Sequence, residues 1–185
     1  MPCLASYKTS ITEETPEFVI SESRAIMLFL TRNYGKPGDL FYSINDTKKN
    51  SKVIEKLCWD MGQFWPKVQN VYKPQLVEQK PCSKKAESEV VQLLSEIDSM
   101  LFKEKYFANG ELSIADISLA MNIDFVKGLV KGNFGKKYPN IKKWLDEVEN
   151  MKAWKQTFTF RTNLYRSLIA ALLTVLLAFK TQPDE

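Results

Sequence analysis

Histidine is absent from the 185 residues, which removes the commonest general base and the commonest metal ligand. Any catalyst here must work without imidazole. Cys3, Cys58 and Cys82 are far apart and odd in number, a pattern that suits neither a disulfide framework nor a zinc site. No metal is expected, and a reducing cytoplasm is the simplest compartment. Ser6, Tyr7, Thr9 and Ser10 supply hydroxyls near the amino terminus, but no strand-helix pattern surrounds them. Glu22 and Ser23 form an acid-hydroxyl pair where a helical pattern begins. On residue types alone this is most simply a helix cap. Trp65, Val68 and Tyr72 lie on a long helical segment, where an aromatic and apolar wall suits a hydrophobic ligand and suits a core equally well. Ser113 and Asp116, in Leu112-Ser113-Ile114-Ala115-Asp116-Ile117, have the spacing of a capping box with a hydrophobic staple. These two are read as structural.

The elements that must position these residues follow from periodicity. Met1 to Pro16 shows no sustained period and reads as loop. Phe18-Val19-Ile20 suits a short edge strand that runs into Ser21-Glu22-Ser23, whose small polar side chains are expected to cap a helix. Ile26, Phe29 and Leu30 recur at helical spacing until Gly35, a helix stop. From about Lys48 the chain reads as helix after helix without strand alternation. The segment from Val53 to Glu78 contains Pro66, which predicts a kink. Lys85 to Phe102 carries Val90, Leu94, Ile97 and Leu101 on one stripe. Pro139 opens another helix, with Ile141, Trp144, Leu145 and Val148 as its buried face. Trp154, Phe158 and Phe160 read as a terminal turn.

Composition agrees with a packed domain, at 44% hydrophobic and 12% aromatic. The charge of +4, from 26 basic and 22 acidic residues, is spread along the chain, so nucleic acid is not an expected partner. The amino terminus lacks the apolar core of a secretory signal. The apolar run 167–179 is shorter than the ~20 residues that span a bilayer. Packing against the domain or a partner is therefore favoured over a membrane anchor.

Four stretches, in order, resemble the insect delta/epsilon-type cytosolic glutathione transferases. They are Ile20-Ser21-Glu22-Ser23-Arg24-Ala25-Ile26 with Tyr34-Gly35-Lys36; Asp60-Met61-Gly62 leading to Tyr72-Lys73-Pro74-Gln75; the capping box at Ser113 and Asp116; and Tyr138-Pro139-Asn140-Ile141 with Trp144. The resemblance covers about Phe18 to Trp154. It implies a mainly α fold: a glutathione transferase C-terminal helical bundle over 45–160, preceded by a remnant of a thioredoxin-like α/β domain over 1–35 and followed by an apolar helical tail over 161–185.

By the same resemblance, Glu22 and Ser23 hold the γ-glutamyl end of glutathione, Arg24 serves that site, and Asp60 lies near it and pairs with Arg24. Trp65, Val68 and Tyr72 face the hydrophobic electrophile, with the core reading of Trp65 and Val68 left open beside this one. Glutathione is then a substrate, the reaction is addition of its thiolate to the electrophile in detoxification, and the chain is expected to form a homodimer or to bind a helical partner. The family's β-α-β unit, with the hydroxyl that stabilises the thiolate and the cis-Pro that binds the cysteinyl backbone, has no counterpart here. Thr15-Pro16-Glu17 does not supply the latter pattern. Catalysis is accordingly expected to be weak or absent, and the alternative is a non-catalytic helical binding or dimerisation module.

Overall fold

The computed structural model describes residues 3–6, 18–35, 46–76, 78–108, 110–128 and 132–156. The chain falls into two compact units, 1–145 and 146–185. The expected architecture is observed: a strand pair and one helix precede a body made only of helices among the described residues. Strand β1 (Cys3–Ser6) pairs antiparallel with β2 (Phe18–Ser21), with Cys3 opposite Ser21 and Ser6 opposite Phe18. The loop reading of Met1 to Pro16 is therefore corrected over residues 3–6. Four residues are too few to display an alternating pattern, and the strand exists because of its pairing rather than its propensity. Residues 7–17 lie outside the described set.

Helix α1 (Ser23–Tyr34) stops at Gly35, whose amide donates to the Thr31 carbonyl at 3.0 Å. A Cβ at Gly35 would stand 2.5 Å from that oxygen, so the close approach requires glycine. The start of α1 differs from the expected side-chain cap. Glu22 occupies the cap position with φ 71° and ψ 116°, and no side chain caps the helix. Its carbonyl accepts the first helical hydrogen bond, from the Ile26 amide at 2.9 Å. Such a backbone in a non-glycine residue costs of order 1–3 kcal/mol and persists only where surrounding structure enforces it.

Helices α2 (Thr47–Trp59) and α3 (Trp65–Leu76) are joined by a π turn, Asp60–Phe64. Pro66 lacks an amide hydrogen, and its ring conflicts with the carbonyl four residues back in a regular helix. Opening the turn accommodates it: the Trp65 amide reaches the Asp60 carbonyl, five residues away. The kink predicted at Pro66 thus takes the form of a wide turn just before it. The widened turn leaves Asp60 and Phe64 fully buried.

Helix α4 (Lys84–Lys103) is capped by Ser83, whose Oγ accepts from the Ala86 amide at 3.1 Å. Its expected stripe of Val90, Leu94, Ile97 and Leu101 is buried. Helix α5 (Ile114–Lys127) is the most enclosed element, with Leu119, Ala120 and Ile123 wholly buried, and it packs against α2 and α3. A short helix α6 (Phe134–Lys137) leads to α7 (Pro139–Glu149), whose Ile141, Trp144, Leu145 and Val148 are buried. Trp154 is half-buried, while Phe158 and Phe160 lie outside the described residues. Among the described residues no helix is long and apolar enough to cross a membrane. The apolar run 167–179 is not among them.

The start of α7 is capped from another helix. Asp98 of α4 accepts from the amides of Asn140 and Ile141, both at 2.9 Å, and from the Asn140 side chain at 2.8 Å. Pro139 brings no amide to the first turn, so the carboxylate answers the next two donors and the positive end of the helix together. Asp98→Ala is expected to lower unfolding stability by about 2 kcal/mol, the scale of a lost cap with half-buried donors. Urea denaturation measures this, and Asp98→Asn, which keeps one acceptor, should lose less.

Candidate functional site

Asp60 opens the π turn and is wholly buried, so its charge must be answered by protein groups. Four hydrogen bonds converge on it. Arg24, in the first turn of α1, donates from Nη2 at 2.7 Å and from Nε at 3.2 Å to Oδ2. Ser118 Oγ donates to the same oxygen at 2.5 Å, and Asn122 Nδ2 donates to Oδ1 at 2.7 Å. Ser118 and Asn122 stand four residues apart on α5, one turn of helix, and so present a hydroxyl and an amide to one point. Neither was singled out from sequence, because polar residues at that spacing on a helix have no meaning until the buried charge they meet is known.

The arrangement ties three elements together: α1 through Arg24, the π turn through Asp60, and α5 through Ser118 and Asn122. Asp60 has no surface left for a ligand. The Arg24 side chain keeps 16% exposure, and its guanidinium carries five donors, so the end of this network that meets solvent is Arg24. Removing one member of a buried ion pair typically costs ~3–5 kcal/mol, because the other charge is left uncompensated. Glu22 and Ser23, immediately before Arg24, are exposed at the helix start. The strained Glu22 backbone and the anchored Arg24 are neighbours in one turn, and the anchor is a structural reason for the strain to persist.

The residues assigned to a hydrophobic pocket separate. Val68 is fully buried and is a core residue. Trp65 and Tyr72 are half-buried and share a partner, Phe125 of α5, at centroid distances of 5.6 and 5.0 Å. The tilted and edge-to-face geometry is the favourable one for aromatic pairs. Phe125 escaped the sequence reading because its role depends on which face of α5 meets α3. The three rings form a half-exposed aromatic surface at the junction of α3 and α5.

The capping box is formed at the start of α5. Ser113 Oγ accepts from the Ala115 amide at 3.2 Å, and Asp116 Oδ2 accepts from the Ser113 amide at 2.8 Å and from Ser113 Oγ at 3.0 Å. Asp116 does more than close the box. Its Oδ1 also accepts from the Phe107 amide at 2.7 Å and from Trp144 Nε1 at 2.9 Å. This buried carboxylate therefore binds the loop before α5 and the middle of α7 to the helix it caps. Burial pushes its pKa up, against the pull of these hydrogen bonds. Among the described residues no group of three His, Cys, Asp or Glu side chains is placed to hold a metal ion.

Residues 63–152 match the family model for the glutathione S-transferase C-terminal domain. Residues 63–152 are a glutathione S-transferase C-terminal domain. Similar solved structures include glutathione S-transferase 1-6 from Anopheles dirus species B, with 23% identity and TM-score 0.73 over 83% of this chain and 72% of that one. A delta-class glutathione transferase from Nilaparvata lugens has 27% identity and TM-score 0.65, over 77% of this chain and 70% of that one. An epsilon-class enzyme from the housefly, Musca domestica, has 22% identity and TM-score 0.67, over 75% and 63%. The matched glutathione S-transferase C-terminal domain runs from the π turn into the residues just after α7 and takes in both partners of Asp60 on α5.

The raised pKa of Asp116 has a defined consequence for stability. Between the ordinary value of 3.8 and its raised value, the folded chain holds a proton that the unfolded chain releases. Its contribution is thus full below 3.8 and lost as pH rises through the folded value. Asp116→Asn lacks this titration, so the stability gap between parent and variant should narrow as pH rises from acid to neutrality. Denaturant unfolding across that range measures the gap.

Proposed function

We propose that this chain is a glutathione-binding member of the glutathione S-transferase family with weak transferase activity. Glutathione presents an ammonium and carboxylates at its γ-glutamyl end, and an acid beside a hydroxyl and helix-start amides answers both signs of charge. Glu22 and Ser23 take that end in this reading, and Arg24, held in place by Asp60, supports them. The observation that carries the reading is the saturation of buried Asp60 by Arg24, Ser118 and Asn122, which locks the start of α1 to the helical body. The aromatic surface of Trp65, Tyr72 and Phe125 takes the hydrophobic electrophile.

The reaction is addition of the glutathione thiolate to an electrophilic carbon: the thiol proton passes to solvent, the carbon-sulfur bond forms as a π bond at that carbon breaks, and the anion so made either takes a proton from solvent or expels a leaving group with its electron pair. A positioned hydroxyl would lower the thiol pKa from about 8.5. No hydroxyl among the described residues is assigned to that role in this reading, and a missing donor of this kind costs orders of magnitude in rate. The working division of the chain is a glutathione-binding remnant over 1–35, the helical domain over 45–160 and the tail over 161–185, in a cytoplasmic protein.

Titration calorimetry with glutathione, followed by a conjugation assay with an aromatic electrophile, tests this reading. Binding with little turnover is expected, and Glu22→Ala should weaken binding about tenfold, the scale of a lost charge-assisted hydrogen bond. A folded chain that does not bind glutathione would overturn it.

A second copy of the chain is the proposed partner. Val19, at 52% exposure, and Tyr34, at 70%, are exposed with Phe18 and Leu30 on β2 and α1. Phe18 stacks on Phe29 at 5.0 Å, and Phe29 meets Tyr34 edge to face at 6.5 Å. Exposed apolar area of this kind favours association. Sedimentation should give a dimer that Leu30→Glu shifts toward monomer, whereas a monomeric parent at micromolar concentration would rule the dimer out.

A further inference from the structure

We draw no further inference here: the strongest candidate, the exposed stripe of Ile54, Cys58 and Met61 along the outer face of α2 and the π turn, is an apolar face around a single thiol, and nothing in the structure shows what covers it.

Discussion

A carboxylate with no access to water is the constraint around which the described part of this protein is arranged. Asp60 is fully buried, and an isolated ionised group in that position would be prohibitively costly. It is tolerated because a guanidinium, a hydroxyl and an amide from two other helices supply its hydrogen bonds. The arrangement is reciprocal. Arg24 belongs to a helix without a single fully buried residue, so α1 has little apolar packing of its own and depends on this polar tether. Buried ion pairs are poor sources of net stability compared with apolar replacements. Their value here is specificity: the tether fixes which turn of α1 meets the bundle, and thereby where Glu22 and Ser23 stand.

Two local irregularities serve that contact. The π turn displaces the chain at Asp60 by one extra residue, which puts the carboxylate inside while Met61 and Gly62 face outward. Pro66, just after the turn, accounts for the irregularity at that point of the chain. At the other end, Glu22 adopts a left-handed backbone where β2 turns into α1. The strain is local, and the anchoring contact is two residues away. Elsewhere the body is held by the same device in other forms: Asp116 answers donors from three segments, and Asp98 caps a helix to which it does not belong.

What could be read from the sequence divides along the range of the interaction. Helices α4 and α7 and the start of α5 were legible because periodicity, Pro139 and the Ser113–Asp116 spacing are encoded within a few residues. The helical body beyond Lys48 followed from periodicity, and Glu22, Ser23, Arg24 and Asp60 came from motifs that resemble one family. Strand β1 was not legible, since four residues gain their structure from a partner 12 to 18 positions away. The Asp98 cap joins residues 42 apart, and Ser118 and Asn122 reach Asp60 across 58 and 62. A polar side chain on a helix carries no mark of the charge it will meet. Val68 illustrates the same limit from the apolar side: burial and ligand contact call for the same residue type, and only the packing of α3 on α5 separates it from Trp65 and Tyr72.

The central claim is that α1 is held to the bundle chiefly through Arg24 and Asp60. Amide hydrogen exchange on Arg24→Met, a substitution that keeps most of the side-chain volume, tests it most directly. The account predicts that α1 amides lose protection by at least tenfold, equivalent to about 1.4 kcal/mol, while α4 and α7 keep theirs. Unchanged protection across Ser23–Tyr34 would contradict it.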